Sequence, residues 1–159
     1  QEILNSAGLP AYEISNHARS GEESRHNLTY WLSRDYGGIG PGAHGRLAQG
    51  YGATAFDQER VPEIWLEAVE NQGHGTKNRV EVSPNERLEE ALMMGLRLTS
   101  GISRDDFGRI TGNAPEDMLD QTKLNRLIEG GFLELRLNGL RATLAGRLRL
   151  NSVLGALIG

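Results

Sequence analysis

The chain has 159 residues, of which 38% are hydrophobic and 24% charged, a composition typical of a globular protein with one ordinary domain or two small ones. Its net charge of −4 gives no basic excess for nucleic-acid binding, and no apolar run approaches the roughly 20 residues that cross a bilayer. Because cysteine is absent, these residues cannot form disulfides, thiolate zinc sites or cysteine-held iron–sulfur clusters.

The N-terminal region has the pattern of the last part of a larger α/β domain. A helix ends at Gly8, Ala11–Ile14 alternates like a strand, and a polar segment, 15–29, leads to a second short buried strand at Tyr36–Ile39. Residues 37–52 are too rich in glycine for a helix. Two strands alone would expose unpaired edges, so we expect this region to need further neighbours.

A helix and a polar connector come next. The apolar spacing of residues 61–71 predicts a helix, and the polar composition of residues 72–81 predicts a connector. One face of the helix carries the apolar residues Ile64, Trp65, Ala68 and Val69. A domain boundary near residue 80 is therefore expected, with 1–80 belonging to the first domain and 81–159 forming the second.

The second region contains clearer helix signals. The segment Ser83–Glu86 combines an N-cap serine, a proline at the first helical position and a capping-box glutamate. A short helix is predicted from Ser103 to Gly112, and another from Pro115 to Glu129. The first of these three helices has an apolar face made of Leu88, Ala91, Leu92, Gly95, Leu96 and Thr99.

A hairpin and a last helix complete the second region. Asn138-Gly139 lies between the apolar runs 132–137 and 140–143, which is the strongest short signal for a hairpin. Thr143 can cap a final helix. Its inner side would carry Leu148, Val153, Leu154 and Leu157. Three helices, a hairpin and a closing helix predict a small winged-helix-like α+β domain.

The densest set of chemically capable residues lies in a segment predicted to be a polar loop. It combines the imidazole of His26 with the carboxamide of Asn27 and the rings of Tyr30 and Trp31. A heme iron takes a neutral imidazole nitrogen as axial ligand, and the macrocycle packs against flat apolar surfaces. An ordinary structural role fits the same residues, with a histidine that caps backbone and a tryptophan that anchors the core.

A glycine-rich loop, 37–45, allows two interpretations. The backbone amides of Gly38, Gly40 and Gly42 could approach a bound nucleotide closely, because no Cβ intervenes. Alternatively, glycine at these positions only relieves crowding. His44 closes the loop, either as a polar pocket residue or as the partner in a structural hydrogen bond.

Three segments carry a resemblance to a known family. The run His26–Trp31 matches the HNxxYW heme-binding motif of radical-SAM heme chaperones of the HemW type, relatives of the oxygen-independent coproporphyrinogen III oxidases. Residues 12–16 are similar to the YEISN segment of that family, and residues 35–44 resemble its DYxGIGxGAH segment. The motifs occur in the family's order, so the chain resembles the C-terminal portion of such a protein over nearly its whole length.

The resemblance implies a fold and a division of the chain. Residues 1–80 would be the end of a radical-SAM partial (β/α) barrel that carries the heme motif, and residues 81–159 the family's C-terminal domain. The family's [4Fe–4S] cluster is held by a CxxxCxxC loop, for which this chain has no ligands. It is therefore not expected to be catalytic alone, and the cluster and S-adenosylmethionine belong to the full-length protein.

The resemblance also implies roles for individual residues. His26 inherits the role of ligand to the heme iron, with Asn27, Tyr30 and Trp31 as further heme-binding residues. Gly38, Gly40 and Gly42 would lie near S-adenosylmethionine, because ligands bind at the C-terminal ends of barrel strands. Two positions depart from the family pattern: Ser24 stands where some relatives have cysteine, and His17 replaces an aromatic residue.

Heme trafficking is the function that the resemblance implies. The parent protein would bind heme and pass it to an acceptor hemoprotein, either free or membrane-associated. The alternative is an oxygen-independent coproporphyrinogen III oxidase, whose chemistry would reside outside these residues. A DNA-binding regulator built on residues 83–159 is disfavoured, because the presumed recognition helix, 115–129, has a net charge of −2. The absence of cysteine fits a cytoplasmic location.

Overall fold

Short helices and short antiparallel strands alternate along the chain in the computed structural model, which describes residues 1–159. The helices are α1 (Glu2–Ser6), α2 (Arg25–Trp31), α3 (Pro62–Gln72), α4 (Pro84–Gly95), α5 (Arg104–Thr111), α6 (Pro115–Met118), α7 (Gln121–Glu129), α8 (Leu144–Arg147) and α9 (Leu150–Ile158). The strands are β1 (His44–Gln49), β2 (Gly52–Gln58), β3 (Thr76–Val82), β4 (Ile102–Ser103), β5 (Leu133–Arg136) and β6 (Gly139–Ala142). The predicted α/β class is thereby confirmed as a mixed α/β fold.

Both sheets are antiparallel and have three strands. The strand order is β1-β2-β3 in one sheet and β4-β6-β5 in the other. The end of a radical-SAM barrel and the winged-helix-like arrangement are finer descriptions, and both stay predictions.

The chain divides into two compact units. The first unit comprises Gln1–Ser33 and Leu88–Gly159, and the second comprises Arg34–Arg87. Residues 1–33 thus pack with the C-terminal part of the chain, a grouping that sequence order alone does not indicate. The domains predicted from the family's organisation, 1–80 and 81–159, stay a prediction.

In the second unit, two glycines let aromatic rings pack closely. A Cβ at Gly45 would lie 2.0 Å from the ring of Phe56, its register partner on β2. The indole of Trp65 in α3 packs on Gly75, where a Cβ would lie 2.2 Å from the ring. Its Nε1 also donates a hydrogen bond to Oε1 of Gln58 at 3.1 Å. These contacts tie α3 to β2 and to the chain that leads into β3.

The predictions for residues 36–82 are partly wrong. The helix predicted at 61–71 is confirmed as α3, but the polar connector predicted at 72–81 contains β3. Tyr36 forms only a single bridge with Arg46, and Ile39 is 92% exposed, so no buried strand exists there. The hairpin of β1 and β2 was not predicted, because its strands contain small and polar residues instead of an apolar alternation.

Two N-terminal predictions also differ from the structure. The helix before Gly8 is confirmed as α1, and Gly8 has a φ of 77°. Ala11–Ile14 is not a strand, since only Ala11 pairs, in an isolated bridge with His17. Glu13, in the middle of that segment, is instead fully buried as a charged group. A buried carboxylate needs partners of its own, and these bend the chain away from an extended conformation.

The apolar core of the first unit joins α4, α5, α7 and α9 to the β4-β6-β5 sheet. Its buried members are Leu88, Leu92, Leu96, Ile102, Phe107, Leu119, Leu124, Leu127, Leu133, Leu140, Ala142, Leu150, Val153 and Leu157. The predicted apolar face of α4 is therefore confirmed. None of the chain's helices combines the length and the apolar composition that a bilayer-spanning segment requires.

The predicted elements of the C-terminal part are present, with two breaks. Helix α5 is confirmed between its N-cap Ser103 and Gly112. The helix predicted at 115–129 is divided, because the Asp120 side chain accepts hydrogen bonds from two amides and starts α7 anew. The final helix is likewise divided into α8, capped by Thr143 as predicted, and α9. The hairpin is confirmed, but its loop is Leu137-Asn138 and not the predicted Asn138-Gly139, because Gly139 pairs with Arg136 as the first residue of β6.

A capping box starts α4 as the sequence predicts. Oε2 of Glu86 accepts hydrogen bonds from the amide and the hydroxyl of Ser83, each at 2.8 Å, and the Glu86 amide donates to Ser83 Oγ at 3.3 Å. The hydrogen bond from the Ser83 amide contributes most to a pKa of Glu86 below its ordinary value. The box satisfies amides that the first turn of a helix otherwise leaves unpaired.

Replacing the capping serine is expected to weaken the fold measurably. Ser83→Ala should lower the free energy of unfolding by about 1 kcal/mol, since the Glu86 amide loses its acceptor and the Glu86 carboxylate loses the hydroxyl donor, while the backbone amide of residue 83 still donates to it. Urea unfolding followed by circular dichroism measures the change. Ser152→Ala, at an exposed position in α9, is the matched control. Equal midpoints for the two variants would show that the box adds no stability.

Candidate functional site

Residues 25–31 form helix α2 and not the polar loop predicted for them. Ser24 caps the helix, because its Oγ accepts a hydrogen bond from the Asn27 amide at 3.3 Å. Residues four apart lie on the same side of a helix. The spacing of the HNxxYW motif therefore creates two rows: an outer row of His26 and Tyr30, and an inner row of Asn27 and Trp31.

The outer row presents the imidazole to solvent. His26 is exposed, and its ring meets that of Tyr30 edge to face, with the centroids 4.8 Å apart and the planes at 87°. Nε2 of His26 lies 3.2 Å from the Tyr30 hydroxyl oxygen, and either atom can be the donor, depending on the tautomer. The contact holds the ring in one orientation on the surface of α2.

The inner row anchors α2 to the rest of the first unit. Nδ2 of Asn27 lies 3.5 Å from the hydroxyl of Tyr12, to which it donates. The guanidinium of Arg97 lies over the Trp31 ring, 4.6 Å from its centroid, a distance at which cation–π attraction operates. Nε1 of Trp31 is buried and has no acceptor. Trp31 thus has an internal partner, and its predicted contact with heme stays a prediction.

A buried carboxylate holds Arg97 in this position. Oε2 of Glu13 accepts a hydrogen bond from Nη2 of Arg97 at 3.2 Å, and the Glu13 side chain is fully buried. Its Oε1 accepts from the Ser15 amide at 2.6 Å and from Nδ2 of Asn16 at 2.8 Å. Burial raises the pKa of Glu13, but the hydrogen bonds from Ser15, Arg97 and Asn16 and the charge of Arg97 together outweigh it, so the pKa lies below its ordinary value. The YEISN segment, residues 12–16, therefore provides both the carboxylate of this charge pair and two of the donors that bind it.

A second arginine fixes the C-terminal end of α2. Nη2 of Arg109 donates to the carbonyl of Leu32 at 2.8 Å, and its Nη1 donates to that of Ser33 at 3.3 Å. Asp106 pairs with the same guanidinium at 3.1 Å. A cation at this end donates to carbonyls that have no partner within the helix, and its charge interacts favourably with the negative end of the helix dipole.

The supporting residues Glu13, Arg97 and Arg109 were not predicted to belong to the site. The sequence does contain an indication that Arg97 has an internal partner, since it lies between Leu96 and Leu98, which are both buried. A cation within an apolar stretch needs a counter-charge or an aromatic face. Sequence alone does not say which acidic residue or ring provides it.

The glycine loop belongs to the second unit, where local geometry explains Gly38, Gly40 and Gly42. A Cβ at Gly38 would lie 2.2 Å from the carbonyl oxygen of His44. Gly42 has a φ of 69°, a conformation that favours glycine, and its amide donates to the Glu59 carbonyl at 2.7 Å. Gly40 has a φ of 105°, which also favours glycine although the space where a Cβ would be is open. The predicted contact of Gly38, Gly40 and Gly42 with S-adenosylmethionine stays a prediction.

The first unit offers one exposed imidazole that would suit a heme iron. No cluster of three or more His, Cys, Asp or Glu side chains could hold a bare metal ion. A heme iron needs only one protein imidazole, and burial with both nitrogens engaged would exclude that bond. His26 is exposed and engaged at Nε2 alone. His17, by contrast, is half-buried with Nδ1 2.9 Å from the Leu9 carbonyl, and His44 lies in β1 of the second unit.

Sequence comparisons relate the chain to known proteins. Residues 82–149 match the model of the HemN C-terminal domain. Radical S-adenosyl methionine domain-containing protein 1, mitochondrial, of Bos taurus is 40% identical over 162 residues, which cover 98% of this chain and 37% of that protein. Heme chaperone HemW of Bacillus subtilis is 33% identical over 156 residues, which cover 98% of this chain and 40% of that protein. The chain thus spans less than half the length of these relatives.

A solved structure shares the fold. Coproporphyrinogen III oxidase (HemN) from Escherichia coli, a radical SAM enzyme, superposes with a TM-score of 0.65 at 14% identity, over 98% of this chain and 38% of that chain. At this identity the likeness concerns the fold alone, whereas the sequence relatives identify the family. The chain belongs to the HemW/HemN family of radical SAM proteins and corresponds to a C-terminal portion of its members.

Proposed function

We propose that this chain carries the heme-binding site of a radical-SAM heme chaperone, with the His26 imidazole as the protein ligand of the iron. The observation that carries the proposal is the exposed imidazole of the outer row on a helix whose other side is anchored. An imidazole on a fixed support can bind iron without ordering a mobile loop, which lowers the entropic cost of binding.

The motif residues of α2 would have different roles in binding heme. A bound heme would supply an iron for which the neutral imidazole of His26 is a suitable ligand. Tyr30 orients the imidazole through its hydroxyl and presents a ring beside it. Asn27 and Trp31, also predicted to bind heme, contribute from the inner row by holding the helix.

The longer protein would transfer this heme to an acceptor hemoprotein, as the name of the Bacillus subtilis relative suggests. Residues 1–80 would end its radical-SAM barrel, and residues 81–159 would form the winged-helix-like domain. S-adenosylmethionine would lie near Gly38, Gly40 and Gly42, and the [4Fe–4S] cluster would be held by cysteines that this chain lacks. We place this activity in the cytoplasm, with an acceptor either free or membrane-associated.

Replacing the ligand histidine tests the proposal. Titration of the protein with hemin should produce a Soret band typical of imidazole ligation. His26→Ala should lose that band, and its hemin affinity should fall by more than the roughly 10–100-fold that loss of an outer-shell partner of a metal ligand costs. Absorbance titration measures both quantities.

The matched control is His74→Ala. His74 is also exposed but lies in the second unit, where its Nδ1 accepts only from the Thr76 amide. Its variant should bind hemin as the parent does. A Soret band and an affinity unchanged in His26→Ala would refute the assignment of the ligand.

An oxygen-independent coproporphyrinogen III oxidase is the second candidate, supported by the fold similarity to HemN. Its chemistry would use the cluster and S-adenosylmethionine, for which these residues supply no cysteine ligands. Turnover of coproporphyrinogen III by the longer protein with its cluster would favour this function. Heme binding through His26 without turnover would favour the chaperone.

A further inference from the structure

Two groups determine where the Arg97 side chain lies. Its guanidinium covers the Trp31 ring at 4.6 Å, and its Nη2 bonds the buried carboxylate of Glu13 at 3.2 Å. Its Nε is buried and has no acceptor, and the side chain is 30% exposed. The ion pair and the aromatic face therefore fix the guanidinium together.

The turn after α4 also holds the segment on which α2 rests. The carbonyl of Tyr12 accepts hydrogen bonds from the amide and the hydroxyl of Thr99, at 3.0 and 3.1 Å. The hydroxyl of Tyr12 in turn accepts from Asn27 of the inner row. Arg97 and Thr99 thus reach both residues of the inner row, Arg97 directly and Thr99 through Tyr12.

The inner row controls the direction in which the outer row faces. The two rows are neighbours on one short helix, so a rotation of α2 about its axis moves both by the same angle. Arg109 holds the carbonyls that follow the C-terminal end of the helix but makes no hydrogen bond to either row. Loss of Arg97 should consequently release the rotation of α2 while the helix itself persists.

We infer that Arg97 is a positioning residue for the proposed heme site: by clamping Trp31 against Glu13, it sets the orientation in which His26 meets iron. This inference rests on the proposed function. According to this inference, the region that matches the HemN C-terminal domain, 82–149, helps to position the heme motif. That region supplies Arg97, Thr99 and Arg109.

Three variants separate the contributions of Arg97. Arg97→Met keeps the length of the side chain but loses its charge and its planar group. Arg97→Lys keeps a charge for Glu13 but cannot lie flat on the indole. Arg136→Met is the matched control, because Arg136 pairs with Glu134 in the C-terminal hairpin and makes no hydrogen bond or ion pair with α2.

Hemin titration and the ligation spectrum at saturating hemin are the readouts, with thermal unfolding as the check on stability. Arg97→Met should weaken hemin binding on the order of tenfold, the low end of the range for residues that orient a metal ligand. Its spectrum should show a smaller imidazole-ligated fraction at temperatures where the protein is folded. Arg97→Lys should recover part of both, and Arg136→Met should match the parent.

A merely structural role of Arg97 would lower the unfolding temperature and leave the spectrum of the saturated, folded protein unchanged. That result would overturn the inference, as would parental hemin affinity in both Arg97 variants. Should Arg97→Met fail to fold, the spectrum of Arg97→Lys decides by the same criterion. The proposed function has its own test, because it is refuted if His26→Ala binds hemin as the parent does. The inference about Arg97 would then be refuted as well.

Discussion

Leu92→Ala is expected to lower the free energy of unfolding of the first unit by about 2–5 kcal/mol. Leu92 has no exposed surface and lies on the inner face of α4, one turn after Leu88 and one turn before Leu96, which follows the helix. Replacing its isobutyl side chain by a methyl group reduces apolar burial and leaves a cavity that densely packed neighbours fill only in part. Urea unfolding, followed by circular dichroism at 222 nm, measures the loss.

Leu137→Ala makes the same chemical change where burial is absent. Leu137 is 98% exposed in the loop of the C-terminal hairpin, so its replacement should alter stability by less than about 0.5 kcal/mol. A difference between the two variants therefore reports packing and not leucine content. Similar losses for both would mean that α4 does not form the centre of the core.

Local signals explain why much of the C-terminal part could be predicted from sequence. The capping box at Ser83 and the Asn138-Gly139 pair each act over a few residues and do not depend on distant partners. The apolar period of α4 is also local, and it points to the core that the structure shows. Where two local signals compete, prediction fails: Asp120 caps a new helix inside a segment whose apolar spacing suggested one continuous helix.

Non-local pairing explains the errors in residues 34–87. β3 has the sequence TKNRVEV and is exposed at most of its positions, so it shows no apolar alternation. It is a strand because β2 pairs with it from Ala53–Val82 to Gln58–Thr76. β-propensity depends mostly on such neighbours, and a single segment contains no record of them.

The candidate site was identified by its residues but not by its geometry. The motif named His26, Asn27, Tyr30 and Trp31 as one heme-binding group, and those roles stay predictions. Helical spacing separates the group into an outer and an inner row. A prediction of a helix capped by Ser24 at this segment would have given both rows. The partnership of Arg97 with Glu13 spans 84 positions, and no local pattern encodes a contact at that separation.

Glu13→Ala is expected to lower the stability of the first unit by about 3 kcal/mol. Removing one member of a buried ion pair leaves the other without its counter-charge, and such losses run to about 3–5 kcal/mol. The lower end applies because the Arg97 side chain is 30% exposed. The variant also removes the acceptor of the Ser15 amide and of Asn16. Thermal or urea unfolding measures the change.

Glu22→Ala is the matched control for this carboxylate. Glu22 pairs with Arg19 at 3.8 Å, with side chains 63% and 72% exposed, so water screens the pair and its loss should cost less than about 1 kcal/mol. A loss in Glu13→Ala no greater than that in the control would contradict a stabilising role for the buried pair.

The pH dependence of stability gives Glu13 a second signature. Its pKa is lower in the folded protein than in the unfolded chain, so the stabilisation is complete above the unfolded value and is lost as the pH falls through the folded one. Glu86, Glu116, Asp120 and Glu134 also have lowered pKa values, so the parent and the variant should both lose stability in acid. The parent should lose more, and the gap between the two proteins should narrow below about pH 4.5. A gap that stays constant with pH would mean that Glu13 stabilises the fold by packing alone, without its charge.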